Sequence, residues 1–312
     1  MDEIKRMNEI DIYKPILKWV GGKTQILDKL LIEFPLEMDN YHEIFIGGGS
    51  VLFGLLSLVR NGNIKIKGKI YAYDINDALI YVYKNIQSNY EALYDEIEKI
   101  MEEYRKCGNG EINRKPINIE EAMESRENYY YWMRSEYNKM DNDERRTIRG
   151  SSVFIFLNKM CFRGIYRISS RGFNVPFGNY KRLEIIKRDY LIKISELIRD
   201  VIFETCDFRE SMKRIKINDY VYLDPPYASD KDKSFDGYTE NGFNKDSHIE
   251  LFKMIDKLGE DGKKVMLSNA DVKIVRDNFK DDRYKIMRVI CKRLINSKKP
   301  ESTANEVIIK NY

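Results

Sequence analysis

The residues best placed to do chemistry are Asp224, Pro225, Pro226 and Tyr227, which follow the apolar run Tyr220–Leu223. Val221 to Leu223 read as a buried strand. The two prolines must end it, because proline donates no ladder hydrogen bond and fixes its own φ. The carboxyl end of a strand in an open α/β sheet is where ligands bind. The Asp224 carboxylate, the neighbouring backbone carbonyls and the Tyr227 ring should therefore face one pocket. A carboxylate and a carbonyl both accept hydrogen bonds from an exocyclic amino group, while a tyrosine ring stacks on the heterocycle that carries it. The set suits a flat, amine-bearing base.

A second constellation lies upstream. His42 to Phe53 reads as a short strand, the turn Gly47-Gly48-Gly49 and a helix capped by Ser50. Glycines there let the backbone approach a ligand and adopt positive φ. Lys69 to Asp74 reads as another strand ending in an acid, and an acid at that place hydrogen-bonds ribose hydroxyls in nucleotide-binding folds. Gly22-Lys23-Thr24 invites a phosphate-loop reading, but that motif needs a glycine where Leu17 stands.

The elements that must position these residues follow from periodicity and punctuation. A helix is expected over Thr24–Phe34, one or two over 77–104, an exposed loop over 105–119, and helices over Glu120–Met140 and Arg145–Lys159. The aromatic cluster Tyr129, Tyr130, Tyr131, Trp132 and Tyr137 reads as core packing. Residues 158–182 alternate aromatic, basic and amide side chains about a Ser169-Ser170 turn, as a β-hairpin free to enter a DNA groove does. A helix (184–199), a strand (201–205), a short helix and the Asp224 strand come next. Helix 246–258, strand 263–268, helix 271–279 and strands near 284–292 and 305–311 complete an α/β sheet with an antiparallel end. Residues 228–245, with Phe235, Tyr238, Gly242 and Phe243, form a polar loop long enough to close over a substrate.

Composition narrows the class. The 312 residues carry 54 Lys and Arg against 50 Asp and Glu, a net charge of +4, so binding to a polyanion must rely on local patches. Cys107, Cys161, Cys206 and Cys291 are scattered, and His42 and His248 are the two histidines. A zinc site or disulfide framework is not expected, nor any other metal. The polar amino terminus and the lack of an apolar run near the roughly 18 residues that span a bilayer point to a soluble protein of the cytoplasm.

Lys18-Trp19-Val20-Gly21-Gly22-Lys23, Phe45 to Ser50, Asp74-Ile75-Asn76, Arg171 to Tyr180, Asp224 to Tyr227 and Asn305 to Tyr312 together resemble the Dam family of adenine-N6 DNA methyltransferases, with GATC-type members most similar. The blocks occur in the family's order from about residue 14 to the last. The resemblance implies a Rossmann-like, S-adenosylmethionine-dependent methyltransferase sheet formed by residues 1–82 and 190–312. It also implies a mostly helical target-recognition domain, 83–189, that is inserted in the sheet and carries the β-hairpin. Asp224, Pro225, Pro226 and Tyr227 would be catalytic, acting on an adenine flipped from duplex DNA. Lys23, Phe45, Gly47, Gly49, Asp74, Phe208 and Asp224 would surround the methyl donor, S-adenosylmethionine, with Trp19 either there or in the core. Lys159, Arg163, Ile165, Arg167, Pro176, Asn179 and Tyr180 would contact double-stranded DNA. A restriction endonuclease is a functional partner the resemblance allows.

Alternatives stay open at this level. A methyltransferase acting on an RNA base or a protein glutamine would share the sheet, although glutamine enzymes carry Asn-Pro-Pro-Tyr. A catalytically inactive DNA-binding relative is disfavoured by the intact Asp224, Tyr227 and glycine turn. The target, GATC or a related adenine-containing site, is qualified by Asn179, which stands where GATC enzymes often have arginine. Asparagine reads adenine or contacts phosphate but cannot fork onto guanine.

Overall fold

The structure, a computed structural model, describes residues 11–180, 185–229, 243–280, 282–292 and 303–312. Its frame is a seven-stranded sheet of β1 (Tyr41–Glu43), β2 (Ile70–Asp74), β3 (Val201–Thr205), β4 (Tyr220–Leu223), β5 (Lys264–Ala270), β6 (Lys285–Lys292) and β7 (Thr303–Lys310). The spatial order is β6-β7-β5-β4-β1-β2-β3. Strands β5, β4, β1, β2 and β3 run parallel, whereas β7 pairs antiparallel with both β5 and β6. This is the mixed, mostly parallel sheet of a Rossmann-like fold, with the expected antiparallel end.

All four residues of β4 are buried, as an unbroken apolar run in a central parallel strand must be. Its side chains alternate between two cores. Tyr220 and Tyr222 join a cluster with Leu52 and Phe53, while Val221 and Leu223 pack with Leu251, Phe252 and Ile255 on the opposite face. Strand β1 lies between β4 and β2, with Glu43 opposite Tyr222 on one side and Ala72 on the other. The chain winds outward in both directions from the β1–β4 pair, so the crevice beyond their carboxyl ends is the place for a ligand.

Helix α1 (Ser50–Arg60) follows the glycine turn. Ser50 is its first residue rather than its cap: Gly49 stands at the cap position, in the left-handed region at φ 74°, and the Ser50 hydroxyl accepts from the Lys23 amide instead. The helical part between β2 and β3 starts with α2 (Asp77–Lys106), which breaks at Asn89 (φ −157°, ψ 66°). The expected domain boundary at 82/83 falls inside this helix. Helices α3 (Arg126–Lys139) and α4 (Ile148–Met160) pack on it through Tyr104, Tyr129 and Phe156, whose ring centroids lie 5.4–6.1 Å apart. The tyrosine cluster is core, as its spacing predicts.

The helices expected over Glu120–Met140 and Arg145–Lys159 are both interrupted, by Ser125 and Thr147. Each starts a new helix by accepting an amide proton three residues on, from Asn128 and Gly150. A short hydroxyl side chain competes for backbone donors better at a helix start than within one. The hairpin is short, with Ile168–Ser169 opposite Gly172–Phe173. Asn138 of α3 grips it by donating to the Phe173 carbonyl and accepting from the Phe173 amide. In the expected closing loop, Phe235, Tyr238 and Gly242 lie outside the described residues, as do Lys181 and Arg182. No described helix is long and apolar enough to cross a membrane.

Asn158 of α4 treats Lys18 as Asn138 treats Phe173. Its Oδ1 accepts from the Lys18 amide at 2.8 Å and its Nδ2 donates to the Lys18 carbonyl at 2.7 Å, so a buried side chain stands in for a neighbouring strand. Asn158→Ala should destabilise the protein by about 2–4 kcal/mol, because it strands one donor and one acceptor away from water. Urea unfolding checks this, and a loss below about 0.5 kcal/mol contradicts it.

Candidate active site

Two chain segments meet at Asp224. The carboxylate follows β4, and its Oδ2 lies 2.6 Å from Nζ of Lys23, which is only 3% exposed. The same ammonium donates to the Gly21 carbonyl at 2.6 Å. The other carboxylate oxygen, Oδ1, is buried and has no hydrogen-bond partner among the described residues. The Lys23 ammonium also stands 4.8 Å from the centre of the Tyr227 ring.

The residues after Asp224 are gripped from three further elements. The Pro226 carbonyl lies 2.9 Å from Nε2 of His248, in α5 (Lys245–Glu260). The Ala228 amide donates to Asn269 Oδ1 of β5 at 3.0 Å. The Tyr227 hydroxyl donates to Glu306 Oε2 of β7 at 2.6 Å. Two prolines stiffen the backbone, and these contacts fix where it goes.

Burial sets the protonation of the acids here. It pushes the Asp224 carboxyl up to about 6, against the opposing charge and hydrogen bond of Lys23. Glu43, at the end of β1, is pushed up to about 8 by burial, with the Asp224 charge adding to the rise and the Tyr41 hydroxyl opposing it. Of the two acids Glu43 is held protonated to the higher pH, so the negative charge falls first on Asp224.

The glycine turn forms the other wall. The Gly47 amide donates to Asp74 Oδ2 at 3.1 Å, and the Asn76 amide to Asp74 Oδ1 at 2.9 Å. Burial nonetheless raises the Asp74 carboxyl to about 6. The Gly47 carbonyl accepts from the Tyr83 hydroxyl at 2.8 Å. Gly47 is required twice: its φ is 48°, and a Cβ would stand 2.9 Å from the Trp19 ring. Trp19 thus packs under the turn and stacks on Tyr166, with ring centroids 5.5 Å apart. Phe45 and Phe208 approach to 6.0 Å, and Phe243 completes the aromatic group at 5.7 and 5.5 Å. Phe45, Gly47, Gly49, Asp74 and Phe208 therefore share one rim, while Lys23 belongs to the Asp224 side of it.

The basic segment lies beside this rim. Residues 176–178 run back along the end of α4: the Phe162 amide donates to the Pro176 carbonyl and the Gly178 amide to the Met160 carbonyl, both at 2.8 Å. The Tyr180 hydroxyl accepts from the Arg163 amide at 2.8 Å, and the Lys18 ammonium sits 3.6 Å above the Tyr180 ring. Gly164, at φ 64°, leaves no room for a Cβ, which would lie 2.2 Å from Lys18 Cβ. Lys18, Lys159 and Tyr180 line a cavity of about 730 Å³ together with Lys14, Lys187 and Lys193. Burial and the nearby Lys18 push the Lys159 ammonium down to about 8. Pro176 and Asn179 are exposed, Asn179 at φ 50°, and Ile165 is half-buried. Arg167 is exposed and sits below the hairpin turn, with its Nε donating to Asn174 Oδ1 at 2.6 Å.

Sequence reasoning assigned no role to Glu43, His248, Asn269 or Glu306, all of which touch or flank the Asp224 motif. Glu43 carried a usable signal, since an acid inside an apolar strand is rarely buried without purpose. His248 and Asn269 act through the backbone of residues distant in sequence, and no local pattern marks that.

The sequence profile of the family described as D12 class N6 adenine-specific DNA methyltransferase matches residues 19–295. The chain is 36% identical over 309 residues to the Type II methyltransferase M.MjaIII of Methanocaldococcus jannaschii, covering 96% of this chain and 99% of that one. It is 28% identical over 310 residues to the Type II methyltransferase M1.LlaDCHI of Lactococcus lactis, covering 98% and 97%. It is 28% identical over 282 residues to the DNA adenine methylase of Haemophilus influenzae, covering 89% and 86%. A carboxylate with one unpaired buried oxygen, a glycine turn and an acid-ended strand have thus come together in a chain that matches this family over most of its length. The protein belongs to the D12 class of N6 adenine-specific DNA methyltransferases.

Proposed function

We propose that the enzyme transfers a methyl group from S-adenosylmethionine to N6 of an adenine flipped out of duplex DNA, with GATC as the target. The observation that carries the chemistry is the buried, unpartnered Oδ1 of Asp224. A buried carboxylate oxygen without a donor is costly, and an incoming amino group is the donor it lacks. Adenine N6 is a poor nucleophile because its lone pair is delocalised into the ring. Asp224 Oδ1 and the Pro225 carbonyl would each accept one N6–H, drawing the nitrogen toward tetrahedral geometry with its lone pair aimed at the donor. Tyr227 would stack on the extruded base and replace part of the lost helix stacking. Lys23 holds Oδ2, so the carboxylate presents one oxygen in one direction. The N6 proton turns acidic only as the N–C bond forms, and Asp224 then accepts it without having to be a strong base. S-adenosylmethionine supplies the methyl on a sulfonium, a very good leaving group. The rim fits such a nucleoside: Asp74 would hold the ribose hydroxyls, Phe45 and Phe208 the adenine, and Gly47 and Gly49 the close backbone approach, above Trp19. Positioning then accounts for much of the acceleration.

For DNA, residues 83–189 would act as the recognition insertion. Five lysines, Lys14, Lys18, Lys159, Lys187 and Lys193, line the cavity against the single carboxylate of Asp11 among its described lining residues, and this excess of positive charge favours an arriving phosphate, which supports Lys159 as a backbone contact. Arg163 would serve similarly, with Ile165, Pro176, Asn179 and Tyr180 lining the approach. The described partner of Arg167 is a neutral asparagine, so its charge remains available for guanine O6 and N7. The Type II names of two relatives support a partner restriction endonuclease, and a DNA substrate supports an intracellular location.

Asp224→Ala should lower methyl transfer at least about a hundredfold while leaving duplex binding within about threefold, as expected for a group that meets the extruded base rather than the duplex. Filter-binding and tritium-transfer assays measure the two quantities, and near wild-type turnover would refute the chemistry. Arg167→Ala should relax discrimination at one guanine-containing base pair, a loss of about 1–3 kcal/mol. Initial rates on GATC and its single-base variants check this. Equal loss on every sequence makes Arg167 a phosphate anchor or a structural residue.

A further inference from the structure

We propose that Glu306 is a positioning residue for Tyr227, and through it for the adenine ring; the inference rests on the stacking reading given above. The Tyr227 hydroxyl donates to Glu306 Oε2 at 2.6 Å. Glu306 stands in β7, opposite Val289 of β6 and Ala270 of β5, so strands on both sides fix its backbone. On the backbone around Tyr227, the Pro226 carbonyl and the Ala228 amide are already held by His248 and Asn269. The freedom left to Tyr227 is rotation about its two side-chain torsions, and a hydrogen bond at the far end of the ring removes it. A ring fixed before the base arrives presents its face without an ordering cost at the moment of stacking. The antiparallel ribbon at the end of the sheet thereby reaches the reaction centre.

The test uses the full-length enzyme, S-adenosylmethionine and a cognate duplex, with a second duplex carrying 2-aminopurine at the target adenine to report base extrusion and stacking. Glu306→Leu should lower kcat about tenfold to a hundredfold, the scale of a hydrogen bond to a charged group, and leave KM for the donor within about threefold. Its 2-aminopurine emission should be brighter than that of the wild-type complex, because the ring no longer quenches the extruded base. Glu306→Gln, which keeps an acceptor oxygen, should recover most of the rate. Tyr227→Phe, which removes the same bond without touching β7, should lose about as much as Glu306→Leu. The double variant should be no worse than the weaker single. Additive losses in the double variant, or wild-type kcat in either Glu306→Leu or Tyr227→Phe, overturn the tether. Should Glu306→Leu not fold, Tyr227→Phe and Glu306→Gln decide on the same criteria. Tyr227→Ala separates the two levels: wild-type activity there overturns the stacking reading itself, whereas an inactive Tyr227→Ala beside a fully active Tyr227→Phe overturns only the role of Glu306.

Discussion

The ion pair between Lys23 and Asp224 is the interaction on which the rest of the site depends. Two charges removed from water are tolerable only when close, well aligned and otherwise hydrogen-bonded, and removing one partner leaves the other uncompensated. Lys23 meets the condition through the Gly21 carbonyl and Asp224 Oδ2 together. Asp224 meets it by half, keeping Oδ1 without a donor. That asymmetry turns a structural ion pair into a site with one open valence. Burial raises the neighbouring Glu43 carboxyl further than that of Asp224, which favours placing the negative charge on the acid that Lys23 holds.

Placing Lys23 requires much of the molecule. Its segment is tied to α1 through the Ser50 hydroxyl, to α4 through the two hydrogen bonds of Asn158, and to the glycine turn through Trp19. Helix α4 leads directly into the basic segment, where Lys18 and Lys159 share a cavity. The residues proposed to hold DNA and the lysine that holds the Asp224 carboxylate are thus anchored to the same helix. A shift of α4 would move both together, so DNA engagement and chemistry share one mechanical support.

Much of this was legible in the sequence. The β4 strand, its proline stop and the acid-ended β2 strand are local signals, carried by apolar runs and by residues whose backbone limits are severe. The Phe45–Phe208 contact was reachable only through family resemblance, since it joins residues far apart in the chain. Other features resisted reading for definite reasons. Ser125 and Thr147 break two expected helices because capping competes with helix continuation, and periodicity does not register that competition. Ser50 looked like a cap, but Gly49 in the left-handed region took the position and freed the hydroxyl for Lys23. The grips of His248 and Asn269 on Pro226 and Ala228 are tertiary contacts to backbone atoms, which no residue pattern encodes. The pairing of Lys23 with Asp224 is of the same kind: both residues stood out separately, and only the fold joins them.

The most direct test of this account is the pH dependence of single-turnover methyl transfer by the wild-type enzyme and by Lys23→Met. Asp224 must be ionised to present its open oxygen, so the wild-type rate should fall as the pH drops through about 6. Lys23 opposes the rise that burial imposes on that carboxyl, so its loss should move the midpoint of the residual activity to higher pH. A midpoint that stays in place without the lysine, or a rate that does not fall in acid, would contradict the account.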